Sequence, residues 1–288
     1  MAFMQHLLGA IRGMSPFLLM WGLVPLIPFV IAEQIRPVGE APRWRDYSTN
    51  ILIGVSTAYL ALPLGILAGM WSGQLREYLP WKPISFTFDS IGAVPGIGPV
   101  LEVLAMIFIP LLLHDCWFYW VHRIEHKVPL FWMFHRLHHS DERMNTATYL
   151  RDHFLQNGLL RAFFPVFTLG LFVDLSLRQA GRAAFYSTLF LIFLSMFYHS
   201  AIRVRLPWLD RILVTPQVHR IHHSTDPQHY NRNFADALPI FDILFGTYHR
   251  PSKDEFPATG LGPDFPAPRS LWSAQLGPLL AGLKGIRG

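Results

Sequence analysis

The stretch His122–His139 reads HRIEHKVPLFWMFHRLHH. It places His122 and His126 four residues apart, then His135, His138 and His139 in the pattern His-x-x-His-His. That pattern returns at His219, His222 and His223. On a helix, residues at i, i+3 and i+4 share a face, so each cluster aims its imidazoles at one point. Neutral imidazole is the commonest protein ligand for transition metals. Two imidazoles from the first cluster and three from each of the others make eight of the chain's 14 histidines. That exceeds the three or four protein ligands of a single zinc site and suits two metals with open coordination positions. A lone histidine on a helix face is ordinarily structural. Three clusters at ligand spacing, two of them sharing His-Arg-(Leu/Ile)-His-His-Ser, are not of that kind.

The rest of the chain tells where such a site would sit. Of 288 residues, 51% are hydrophobic and 15% charged, with 23 Phe, 9 Trp and 9 Tyr. Soluble domains carry about 25% charged residues, so the composition is that of a membrane protein. Lys and Arg number 24 against 19 Asp and Glu, a net +5. In a membrane protein that balance fits loops facing anionic lipid, and no nucleic-acid motif accompanies it. Cys116 is the only cysteine. It excludes an internal disulfide and a cysteine-ligated iron–sulfur cluster within the chain, and reads as a packing residue. The first apolar stretch contains prolines and no cleavage signal, so it reads as a retained membrane segment.

In order, residues 1–12 read as an amphipathic lead and residues 13–32 as a first uncharged span, kinked at Pro25 and Pro28. Residues 47–75 form a second uncharged run with room for a kink at Pro63. Residues 76–99, rich in Pro and Gly, read as interfacial or re-entrant. A third apolar segment runs from Val100 into the first histidine cluster and carries Asp115, an acid whose cost in an apolar helix marks it as a functional candidate. Asp115, Tyr119, His122 and His126 fall on one stripe; His114 lies off it, as a structural or pocket-lining residue. Residues 154–173, interrupted by Arg161 and Pro165, and residues 183–202 read as a hairpin that returns both sides of the site to one membrane face. Nine arginines and lysines from Arg123 to Arg220 (Arg123, Lys127, Arg136, Arg143, Arg151, Arg203, Arg205, Arg211, Arg220) mark that face as cytoplasmic. The expected fold is all-α: an integral-membrane helical bundle of four to five segments with a cytoplasmic histidine-rich cap. Its organisation is 1–99 as N-terminal membrane segments, 100–250 as the histidine-box catalytic domain, and 251–288 as a tail, amphipathic over 270–285. His229 and His249 lack clustered partners and read as surface residues.

These residues resemble the fatty acid hydroxylase / sterol desaturase superfamily of integral-membrane di-iron enzymes. The three clusters are similar to its histidine boxes. Asp115-Cys-Trp-Phe-Tyr-Trp-Val-His-Arg123 is similar to the stretch leading into the first box, and Leu206-Pro-Trp-Leu-Asp-Arg211 to the segment before the third box in bacterial members. Asn231–Asn233 and Phe241-Asp-Ile-Leu-Phe-Gly-Thr-Tyr248 are similar to the closing segment. The chain departs from the family pattern at Phe154, where relatives place proline, at Ala235, where they place glycine, and at Phe241, where they place tryptophan.

The resemblance implies two iron ions held by His122, His126, His135, His138, His139, His219, His222 and His223, with His199 and His153 as further ligands. It implies O2 as co-substrate, and hydroxylation or desaturation of a sterol, fatty acyl or related lipid entering from the bilayer. Electrons would come from an external donor, a ferredoxin or a cytochrome b5-like protein with its reductase, because the chain has neither cluster cysteines nor a dinucleotide fingerprint. Asp115 and Tyr119 are candidates to orient His122 or line a proton path, although Tyr119 and Trp120 equally suit an interfacial aromatic belt. The implied location is a bacterial inner membrane with the site on the cytoplasmic side. Two alternatives stay open. His122-Arg-Ile-Glu125-His126 fits an inverted zinc-protease motif with Glu125 as general base, and a non-catalytic metal-binding protein could retain the same boxes.

Overall fold

The computed structural model describes residues 2–78, 84, 85, 87–161, 173, 174, 177–262, 265, 267, 268 and 270–280. It is mostly helical. Helices α1 (Ala2–Phe17) and α2 (Leu26–Ile35) flank a π turn at Leu18–Leu23; α3 is Trp44–Tyr78 and α4 a single turn at Asp89–Gly92. Helix α5 is Gly98–Lys127 and α6 is Pro129–His139. After a 3-10 turn (Thr146–Leu150) and a π turn (Gln156–Arg161) come α7 (Leu177–His199), α8 (Pro216–His222), α9 (Ile240–Leu244) and α10 (Leu271–Gln275). A two-residue parallel pairing of Ile84–Ser85 with Val173–Asp174 interrupts the helical pattern.

Among the described residues, three helices are long and apolar enough to cross a membrane: Trp44–Ala68 within α3, α5, and Gly181–His199 within α7. The bent pair Leu7–Met14 and Leu19–Ile35, inclined by 41°, is together long and apolar enough for a broken span or a re-entrant loop. The chain is an integral membrane protein. The bend precedes the expected positions: Pro16 lies inside α1, whereas Pro25 caps α2 and Pro28 sits in its first turn, where proline costs no intrahelical hydrogen bond. Of the expected inward limb of the hairpin, residues 162–172 lie outside the described residues, as do residues 281–285 of the amphipathic tail. The described part of that tail docks on the bundle, with Ala274 and Gln275 buried.

Helices α5 and α7 form the spine. Leu111 packs with Leu194, Tyr198, Val214, Val218, Ala235 and Ala237 in one buried cluster that joins the spans to the cap. Towards lipid, α5 exposes Leu104, Phe108, Ile109, Leu112, Leu113, Trp117 and Trp120, an apolar face that suits a bilayer and not water. The break between α5 and α6 decides the geometry of the site. A residue preceding proline disfavours the helical region, and Val128 is extended (φ −100°, ψ 117°) with Pro129 opening α6. The chain therefore folds back directly after His126 and brings His135 opposite it.

Candidate metal centre

Nine histidines converge in two groups. The first comprises His122 and His126 from α5, His135 and His139 from α6, and His222 from α8; the second comprises His138, His199, His219 and His223. Within each group one ring nitrogen per residue lies within 4.8 Å of all the others. The i, i+4 pairs stay together, while the middle histidine of each His-x-x-His-His cluster crosses over. His138 leaves its neighbours for the second group, and His222 leaves its own for the first. Because i+3 is rotated from i+4 around the helix, each five-residue cluster serves two points.

The ring nitrogens form tight chains. In the first group His135 Nε2 lies 3.0 Å from His122 Nε2 and 3.1 Å from His139 Nε2. In the second, Nε2 of His199 lies 3.2 Å from that of His138 and 2.9 Å from that of His219, and His219 lies 3.1 Å from His223. Adjacent ligands on one metal, each about 2.1 Å from it, stand about 3 Å apart when the bonds meet at right angles.

The outer nitrogens fix the tautomers. His122 Nδ1 lies 2.7 Å from the carbonyl of Phe234, His199 Nδ1 2.9 Å from that of Ser195, and His222 Nδ1 2.9 Å from that of Arg232. A neutral imidazole carries one N–H; donating it from Nδ1 leaves the Nε2 lone pair facing the group. Nε2 of His126 and of His222 are buried without any hydrogen-bond partner. Orphaned buried polar atoms are rare, and a metal ion would satisfy these two. Burial holds His135, His138, His139, His219 and His223 well below the ordinary histidine value, and the neighbouring imidazoles push the same way. His222 is pushed down to about 4, chiefly by burial. All are thus neutral and ligand-competent at neutral pH. The donor set fits a pair of transition metals.

Two cavities meet the groups. One, of about 270 Å³, opens on His126, His139 and His222 beside Trp132, Tyr230 and Phe265. The other, of about 180 Å³, touches both groups through His122, His138, His199 and His219, and is walled by Tyr198 and Asp236.

Three expectations need correction. His153 joins neither group: its Nε2 takes the Gln275 carbonyl at 2.8 Å, its Nδ1 accepts from the Leu155 N–H at 3.2 Å, and its ring packs on Phe134. Asp115 and Tyr119 touch no imidazole of the groups. The Asp115 carboxylate accepts the backbone N–H groups of Asp236 and Ala237 at 3.0–3.1 Å and that of Leu238. Asp242 grips the same loop from its other side, through the N–H groups of Phe234 and Ala235, both at 2.8 Å. These two acids hold the loop whose Phe234 carbonyl orients His122. Tyr119 binds Thr247 Oγ1 at 3.0 Å and accepts from Arg123 at 2.9 Å, stacking on Phe245. Lastly, His229 and His249 are not free surface residues: His229 is buried, and both Nε2 atoms reach Glu255 Oε1, at 2.9 and 3.2 Å. His229 Nδ1 also meets Ser224 Oγ at 2.9 Å, and Glu255 Oε2 accepts the Ser252 N–H at 2.6 Å, so the trio is tied into a hydrogen-bonded strap.

Gln156 and Asp152 carried no signal of their own in the sequence, whereas His114, expected as a structural or pocket-lining residue, lines the 180 Å³ cavity. Gln156 lies 2.7 Å from His135 Nδ1, and Asp152 lies 3.7 Å from His138 Nδ1. His114 pairs with Asp236 at 3.0 Å, and Asp236 in turn accepts from Tyr198.

The chain can be placed among known proteins. A profile of the fatty acid hydroxylase family matches residues 107–247, the segment that holds every histidine of both groups. Human alkylglycerol monooxygenase is 33% identical over 243 residues, covering 83% of this chain and 47% of that protein. Ornithine lipid hydroxylase OlsE of Rhizobium tropici is 31% identical over 159 residues, covering 54% of this chain and 46% of its own length. Human cholesterol 25-hydroxylase is 29% identical over 154 residues, 51% of this chain and 53% of its own. The chain thus spans about half the length of the relatives it matches. No solved structure matches it. Through residues 107–247, the chain belongs to the fatty acid hydroxylase family.

Proposed function

We propose that this chain is the core of a membrane-bound di-iron oxygenase that hydroxylates a lipid with O2 and external electrons. The observation that carries the reading is the convergence of nine imidazoles into adjacent groups of five and four. The first group would hold one iron and the second the other. When bound, the pair supplies O2 reduction and oxidation of an unactivated C–H bond, chemistry that zinc does not support. An all-nitrogen donor set of this kind suits iron. The single-zinc hydrolase reading uses only two of these histidines, and its base, Glu125, is buried in an ion pair with Arg161 at 3.3 Å.

The chain's own part is positioning. The carbonyls of Phe234, Ser195 and Arg232 hold three imidazoles in the tautomer that presents Nε2. Asp115 and Asp242 keep the Phe234 carbonyl in place. The 180 Å³ cavity, in contact with both groups, receives the reacting carbon. It lies at the end of apolar helices, so a lipid reaches it from the bilayer. The named relatives are all hydroxylases or monooxygenases, which favours hydroxylation over desaturation. Electrons come from a ferredoxin or a cytochrome b5-like donor. Arginines gathered on the histidine side support a cytoplasmic site in a bacterial inner membrane.

The test is incubation of the purified protein under 18O2 with a reductase system and a panel of neutral and zwitterionic lipids. One 18O atom per product alcohol is the expected result. Reductant consumption without any oxygenated lipid across the panel, or oxygen derived from water, would refute the assignment.

A further inference from the structure

Arg161 interrupts an apolar run, and a buried cation in such a place needs an explanation. Its guanidinium lies between two carboxylates. Nη1 contacts both oxygens of Asp152 at 3.2 Å, and Nη2 contacts Glu125 Oε2 at 3.3 Å. Phe118 supports the guanidinium from below, with 4.9 Å to its ring centroid. The same two oxygens also face imidazoles. Glu125 Oε2 lies 3.5 Å from Nδ1 of His135, and Asp152 Oδ1 lies 3.7 Å from Nδ1 of His138. His135 belongs to the first group and His138 to the second. Side-chain exposure is 1% for Glu125, 9% for Asp152 and 18% for Arg161, so the two carboxylates are buried and the guanidinium partly so.

Resting on the two-metal reading, we propose that Arg161 is a positioning residue that couples the two metal subsites, by fixing the carboxylate partner of one histidine in each. A ligating imidazole that presents Nε2 has its Nδ1–H left to place, and a carboxylate acceptor there raises its basicity and locks its orientation. His138 Nδ1, Glu125 Oε1, Gln156 Oε1 and Arg161 Nε are buried atoms without partners. Gln156 already lies against His135 Nδ1 at 2.7 Å with Glu125 Oε2 beside it, and Asp152 is the carboxylate that faces His138 Nδ1. Without Arg161, the two buried carboxylates would lose the cation that pairs with both, and neither would keep its place. One guanidinium therefore sets both imidazoles, and a change at Arg161 is felt at both subsites. Glu125 and Asp152 each act on one.

The experiment uses full-length protein in detergent, stripped by chelation and titrated with Co(II), with visible d–d absorption reporting each binding step. Iron content of the protein as purified is measured alongside. Glu125→Gln is expected to weaken one of two Co(II) steps by about 10-fold or more, Asp152→Asn the other, and Arg161→Gln both. Arg161→Lys, which keeps the charge but not the fork, should recover part of the loss. Circular dichroism separates these effects from unfolding: a variant that loses helix is replaced by its partial form, Arg161→Lys, as the test of coupling. An Arg161→Gln protein that is folded and weakens one step or neither would overturn the proposal, as would Glu125→Gln and Asp152→Asn weakening the same step. If the parent protein binds no pair of metals in either form, the oxygenase reading itself falls; if it binds two and Arg161→Gln leaves both intact, only this inference does.

Discussion

At Asp115, an acid deep in an apolar helix acts on the site through backbone alone. Its carboxyl group collects three N–H groups of the 236–238 loop, and an intramolecular hydrogen bond contributes about 0.5–1.5 kcal/mol net. Asp115→Asn should lower stability by about 2 kcal/mol and weaken the group containing His122, because the Phe234 carbonyl loses its anchor. Denaturant unfolding in detergent and iron content together check this; unchanged stability with lost iron would instead make Asp115 a ligand. His153 gives the opposite result. His153→Ala removes a bond to the Gln275 carbonyl and should cost about 1 kcal/mol with metal content unchanged. The eight box histidines and His199 could be picked out from the chain because ligand spacing repeats and family resemblance placed the ninth. The tautomer-setting carbonyls could not, since any residue supplies a carbonyl and only the fold decides which one arrives.

Among the elements, the short helices α6 and α8, with His223 capping α8, carry six of the nine histidines, and the long helices α5 and α7 carry the other three. The i+3 crossover was not read from the chain: spacing puts three imidazoles on one face, and only the relative placement of α6 and α8 assigns the middle one to the opposite group. The Val128–Pro129 break was visible in the sequence, but its consequence, His135 facing His122, needed the packing of α6 against α5. The strap joins the turn at Ser224–His229 to the segment reaching Glu255 through two imidazoles on one oxygen. Burial alone would raise Glu255; the Ser252 N–H and the two imidazoles outweigh it and hold the carboxyl below its ordinary value. Stability from a depressed carboxyl is complete above the unfolded value, near 4.5, and is lost as pH falls through the folded one. Glu255→Gln should therefore cost about 1–2 kcal/mol at pH 7, with the gap to the parent closing below pH ~4.5. A gap that stays constant down to pH 3 would show that the charge is not what holds the strap.

For the whole molecule, the apolar spans place the histidine centre beside a bilayer. Long apolar runs predicted both ends of α3 and the start of α5 to within three residues and placed the start of α7 six residues late, because bilayer thickness imposes a length that composition reveals directly. The N-terminal bend was misplaced by one proline, since several prolines within one apolar run compete to host the bend. Cys116 is exposed on α5, on the face that looks toward lipid. A membrane-impermeant maleimide should leave it unlabelled in sealed vesicles and in open membrane sheets, while a lipophilic maleimide labels it in both. Labelling by the impermeant reagent in open sheets would place this turn of α5 in water and break the proposed span.

The central claim is that the nine histidines of the two groups hold two irons. Its most direct test is elemental mass spectrometry of the detergent-purified protein beside His126→Ala, from the first group, and His219→Ala, from the second. The parent should carry about two irons per chain, with each variant losing chiefly one and the double variant both. One zinc per chain that survives both substitutions would contradict it.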